Sequence, residues 1–106
     1  MTNDESAVYV ELSRAAERDL RRLSPSDHRR AAGALTRTLG VEPLPPNADD
    51  KPLAGRSPWR RLRVGELRLI YRPLAPDEVP PGERLARRVA RIVHRGQLER
   101  AIGTLP

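Results

Sequence analysis

Six arginines crowd the segment 56–72: Arg56, Arg60, Arg61, Arg63, Arg68 and Arg72, against one acid, Glu66. Further on, His94 and Arg95 stand side by side after an apolar run. A guanidinium keeps its charge at any physiological pH, and its planar fork of donors matches a phosphate. An imidazole is the side chain best suited to carrying a proton near neutrality. His94 is the only one in this half of the chain. Trp59 and Tyr71 lie among the arginines and offer flat faces on which unpaired bases can stack. Each residue type also has a plainer use. Arginines solvate a surface, and Arg68 can pair with Glu66 or Glu99. His94 can sit on a strand beside Ile92. Trp59 and Tyr71 can fill a core that has few other large side chains.

Composition narrows the field. The chain has 106 residues, a formal net charge of +6 and 20 Lys and Arg, of which only Lys51 is Lys. Residues 1–50 hold 7 Arg against 9 acids, and residues 51–106 hold 13 Lys and Arg against 5 acids, so the second half alone carries +8. Such asymmetry fits a polyanionic partner. With no Cys, disulfides, thiolate zinc sites and Cys nucleophiles are excluded. Two His are too few for a typical imidazole metal site, so neither metal nor cofactor is expected. No apolar run approaches the roughly 20 residues of a membrane span. Met1–Ser6 is polar and acidic, unlike a secretory leader. A cytoplasmic protein with disordered residues 1–6 and one domain over 7–106 is expected.

The pattern of apolar residues predicts the elements that would carry these groups. Ala7–Leu12 alternates as a strand. Ser13 caps a helix over Arg14–Leu23, with Leu12, Ala16, Leu20 and Leu23 on one face. Ser24-Pro25-Ser26-Asp27 starts a second helix that buries Ala31, Ala32, Leu35 and Leu39 and stops at Gly40. His28 falls on its surface. Five prolines over 41–58 resist helix and central strand alike. Trp59–Val64 and Leu67–Arg72 form a hairpin around Gly65-Glu66. Leu85–His94 is apolar on both sides, with Val89 and Val93 on one face and Ala90 and Ile92 on the other, as in an internal strand. Gln97–Ile102 closes as a short helix. The order β-α-α-β-β-β-α predicts an α+β fold, a mainly antiparallel four-stranded sheet with the helical hairpin on one face.

This order resembles the RelE/ParE toxin superfamily of bacterial type II toxin–antitoxin pairs. So do the segment Lys51-Pro52-Leu53-Ala54-Gly55, the run Trp59–Tyr71 and the late Ile92-Val93-His94-Arg95. The likeness spans about residues 8–102. It implies one of two activities: RelE-like members cut mRNA in the ribosomal A site, and ParE-like members poison DNA gyrase without a nuclease site. A third possibility is a non-toxic partner protein that keeps the fold. For a nuclease, the resemblance assigns Arg68 to the scissile phosphate, with Arg61 and Arg95 as further cations. His94 would be the base that takes the ribose 2′-OH proton. Lys51, Arg56, Trp59, Arg60, Arg63 and Tyr71 would bind RNA. The chain departs from the nuclease pattern in one respect. The C-terminal segment that usually carries a Tyr reads Glu99, Arg100, Ala101, Ile102. The resemblance also implies an acidic antitoxin laid over the basic face, contact with mRNA and 16S rRNA, no membrane, and DNA only through an antitoxin complex.

Overall fold

The computed structural model describes residues 7–106, so the disorder expected for residues 1–6 lies outside the described residues. The elements in chain order are β1 (Tyr9–Leu12), α1 (Arg14–Arg22), α2 (Pro25–Arg37), β2 (Asp49–Pro52), β3 (Arg60–Val64), β4 (Leu67–Pro73), β5 (Ala86–His94) and α3 (Leu98–Ile102). Short 3₁₀ turns stand at Pro76–Glu78 and Arg95–Gln97. The sheet has the order β1-β5-β4-β3-β2. No helix among the described residues is long and apolar enough to cross a membrane.

The α+β class, the helical hairpin and the β3–β4 hairpin match the sequence expectation. The strand count does not. The sheet has five strands rather than four, and β1 pairs with β5 in parallel, so the sheet is mixed. The extra strand, Asp-Asp-Lys-Pro, lies in the proline-rich connection. It is an edge strand, where a terminal Pro costs no ladder bond. Nothing apolar in it marks a strand. Side chains dock it instead: Asp50 accepts two bonds from Arg60, at 3.0 Å from Nε and 2.7 Å from Nη2, and one from the Tyr71 hydroxyl.

Local chemistry explains the helix starts. Ser13 Oγ accepts from Ala16 N–H at 3.0 Å and donates to Ala90 O at 2.7 Å, so one hydroxyl caps α1 and fastens it to β5. Ser24 caps α2 by accepting from Asp27 N–H at 3.3 Å, with Pro25 leading the helix. Beyond the end of β1, Asp19 of α1 takes over the exposed edge of β5. Its Oδ2 accepts from Ile92 N–H at 2.9 Å and from Arg91 Nε at 2.8 Å.

Two apolar clusters sandwich the sheet. The hairpin side buries Ala16, Ala31, Ala34, Leu39, Leu62, Leu67, Leu69, Tyr71, Val89 and Ile92. The other side buries Leu53, Trp59, Ile70, Ala90, Val93 and Ala101, and is only partly covered by α3. Two details depart from the expected faces. Ala34 is buried while Ala32 and Leu35 are half-buried. On β5, Val89 shares a face with Ile92, and Ala90 with Val93. The cause is a bulge: Ile70 pairs with Arg91 but Tyr71 with Val89, so Ala90 is an extra residue that shifts the alternation.

Arg87 ends α2. It is nearly buried, at 7% exposure. Its Nη1 donates to Leu39 O and, at 2.7 Å, to Val41 O, and its Nη2 meets Glu42 Oε2 at 2.6 Å. A helix leaves its last carbonyls unbonded, and here a strand side chain satisfies the carbonyls just past the helix end. Arg87→Met keeps the apolar stem but strands these oxygens. We expect a loss of about 2–4 kcal/mol, read as a lower urea midpoint at unchanged slope.

Candidate functional site

The face of the β3–β4 hairpin turned away from α1 and α2 is basic. Leu62, Leu67 and Leu69 point into the hairpin-side core, so Arg61, Arg63 and Arg68 must point the other way. Arg63 stands opposite Arg68 in the ladder, and Arg61 opposite Ile70. Gly65, at φ +58°, makes the tight turn between the strands.

Arg68 is half-buried and has no carboxylate partner among the described residues. Its Nη1 donates to two backbone oxygens, Gly65 O and Leu67 O, each at 2.9 Å. Burial, and then the charges of Arg63 and Arg61, hold its guanidinium below the usual arginine range; Glu66 pulls the other way, and Arg95 adds a smaller push. It remains a cation, yet one crowded by like charges. An anion arriving there would relieve that crowding.

Its neighbours carry internal acids. Arg61 Nη1 reaches Asp49 Oδ1 at 3.1 Å, and Arg63 Nη1 lies 4.0 Å from Asp49 Oδ2. The hydrogen bond from Arg61 is the main reason the Asp49 carboxyl is held below the usual range. Arg95, just past β5, pairs with Glu66 Oε2 at 2.9 Å in an exposed ion pair. Lys51, Arg56 and Arg61 line a groove of about 420 Å³ together with Glu99 of α3. The structure therefore gathers Arg61, Arg63, Arg68 and Arg95 around one patch, with Lys51 and Arg56 along the adjoining groove.

Four other residues singled out from the sequence lie elsewhere. His94 pairs with Leu67 in the ladder, so it points to the hairpin side, opposite Arg68. There its Nε2 meets Asp27 Oδ2 at 3.0 Å. Arg60 is committed to Asp50. Tyr71 is buried, and burial, with the Asp50 carboxylate beside it, holds its hydroxyl well above the usual range, so it acts as a donor. Trp59 is buried beneath Arg72, whose Cζ lies 5.6 Å from the ring centroid. Neither ring is presented for stacking. Sequence reasoning missed Asp49 and Asp50, because the connection that holds them gives no strand signal. No group of three or more His, Cys, Asp or Glu among the described residues could hold a metal ion.

Residues 10–99 match the family model described as the ParE toxin of the type II toxin–antitoxin system parDE. Among solved structures, the RelBE2 toxin–antitoxin complex of Mycobacterium tuberculosis contains a similar chain. It is 25% identical with a TM-score of 0.65, over 89% of this chain and 98% of that one. The RelB–RelE antitoxin–toxin complex of Methanococcus jannaschii contains another, 16% identical with a TM-score of 0.56, over 85% and 95%. The second likeness concerns the fold alone. No curated protein matches the sequence significantly.

The two adjacent aspartates should behave oppositely. Asp49→Asn removes an exposed acid from the basic patch and should make the protein elute from heparin at higher salt, with an unchanged urea midpoint. Asp50→Asn weakens the bonds to Arg60 and Tyr71 and should cost about 1–3 kcal/mol in the same urea titration.

Proposed function

We propose that this chain, which belongs to the ParE toxin family of type II toxin–antitoxin systems, acts in the cytoplasm as a ribosome-dependent mRNA endonuclease that stops translation. The observation that carries this reading is Arg68, a half-buried cation with no acidic partner among the described residues, flanked by Arg61, Arg63 and Arg95. A phosphate of the message is the ligand that such a cluster favours.

The chemistry needs no covalent enzyme intermediate. The ribose 2′-oxygen bonds to the adjacent phosphorus and gives up its proton. The bond from phosphorus to the 5′-oxygen breaks, and that oxygen takes up a proton from solvent water. Charge grows on the phosphoryl oxygens in between, where Arg68, Arg61 and Arg95 stabilise it. Guanidiniums are too weakly acidic to exchange these protons. Glu99, lining the groove with Lys51, Arg56 and Arg61, is the group we assign to receive the 2′-OH proton. It lies in the segment where related nucleases carry a Tyr. His94, bound to Asp27 on the other face, takes no part in this reading.

A second reading is favoured by the absence of an imidazole from the basic face: binding and inhibition of DNA gyrase, without cleavage. Both readings include an acidic antitoxin over the basic face, attracted at long range and weakened by salt. The two structural relatives are themselves toxin–antitoxin complexes.

In a translation extract the intact protein should cut ribosome-bound message, and Arg68→Ala should reduce the rate by about 100-fold or more. Uncut message together with inhibited supercoiling by purified gyrase would establish the second reading instead.

A further inference from the structure

Helix α2 carries a second set of cations on the other side of the hairpin. Arg30, Gly33 and Arg37 recur at spacings of three and four and share one face. A glycine in mid-helix is less favourable than alanine. Here the space of its missing side chain is filled by Arg37. A β-carbon on Gly33 would lie 2.2 Å from Arg37 Nη2 and 2.9 Å from Cζ, so the guanidinium lies flat against the helix. Arg30 reaches the opposite way. Its Nη1 lies 3.3 Å from where a β-carbon on Gly65 would project. With Arg63, these two arginines line a groove of about 320 Å³ between α2 and the edge of the sheet, whose apolar lining includes Ala48 and Val64. Neither Arg30 nor Arg37 has an acidic partner among the described residues. Asp49, also in the lining, is engaged by Arg61 and Arg63.

The β3–β4 turn joins this groove to the Arg68 patch. Arg30 approaches Gly65 from the helix side, and Arg68 donates to the carbonyl of the same residue at 2.9 Å. Arg63 belongs to both places, lining the groove and standing opposite Arg68 in the ladder. The cations thus form a line, Arg37, Arg30, Arg63, Arg68, that passes over the tip of the hairpin from one side of the sheet to the other. A compact anion would fill one end of such a line. A chain of phosphates would follow it, and the apolar lining offers surface to sugars and bases.

We infer that single-stranded RNA held at Arg68 continues over the β3–β4 turn into the α2–β3 groove, with its phosphates on Arg30 and Arg37. This rests on the reading of Arg68 as a phosphate grip and extends it to a longer footprint.

Fluorescence anisotropy with a labelled single-stranded 12-nucleotide RNA and with a trinucleotide, at several salt concentrations, tests it. The double variant Arg30→Gln/Arg37→Gln should weaken the 12-mer about tenfold and reduce the steepness of its salt dependence by about 1.4, the value for two phosphate contacts on a single strand. The trinucleotide should change less than twofold. Gly33→Ala, which favours the helix but displaces the Arg37 guanidinium, should weaken only the 12-mer, by a few-fold. Arg68→Ala should weaken both. If the groove variants leave the 12-mer unchanged while Arg68→Ala weakens it, the extended footprint is wrong and the grip at Arg68 stands. If Arg68→Ala changes neither RNA, the underlying reading fails as well. A ten-residue oligoglutamate that loses affinity in the groove variants while the RNA does not would make the groove a peptide site and overturn the inference.

Discussion

Asp50 accepts from the Tyr71 hydroxyl and from two nitrogens of Arg60 while keeping only 13% of its side chain in water. Three strands meet at that carboxylate: β2 supplies the acid, β3 the guanidinium and β4 the phenol. A four-residue edge strand of two acids, a lysine and a proline has no apolar face with which to dock itself. Much of the basic patch follows from holding it there. The neighbour of Asp50 in sequence, Asp49, points to the opposite face and meets Arg61 and Arg63. Lys51 follows along the groove shared with Arg56 and Arg61. Alternation along one strand thus assigns one aspartate to the fold and the next to the surface where an anion would bind.

The arginines divide in the same way. Arg60, Arg72, Arg87, Arg88 and Arg91 each reach a carboxylate and tie elements together. Beside Arg72, the Glu78 carboxyl is lowered to about 2, chiefly by its bond to that guanidinium and then by the N–H of Ala75. Arg30, Arg37 and Arg68 have no such partner among the described residues. A charge that the fold leaves uncompensated is a charge available to another molecule. The distinction depends on which side chains come within reach of which acids, and that is a property of packing rather than of residue type.

For this reason the sequence was a better guide to the frame than to the site. The serine caps, Pro25, the Gly65 turn and the alternating leucines of β3 and β4 are local signals, and the structure follows them closely. The edge strand β2 has no local signal, because a triad drawn from three strands holds it. His94 shows a different difficulty. The expectation that it lies on the same face as Ile92 agrees with the structure. What alternation within one strand cannot give is the register against β4, and that register pairs His94 with Leu67 and so separates it from Arg68. The bulge at Ala90 likewise exchanges the expected partners of Val89, and no residue there announces it. By residue type the six arginines of segment 56–72 are equivalent, and only packing commits Arg60 to Asp50 and Arg72 to Glu78 while Arg68 rests on backbone carbonyls.

The bond from Arg68 to two backbone oxygens has a consequence for control. A carboxylate partner can be released by protonation or displaced by a competing salt bridge, and a lysine can be acetylated. A guanidinium resting on peptide carbonyls has none of these switches. Its charge is permanent, and the chain has no cysteine through which oxidation could act. Arg68 differs in this from its neighbours Arg61, Arg63 and Arg95, which do meet carboxylates. A second molecule that brings its own negative charge would cover it, and the concentration of that molecule would set the fraction of patches left open.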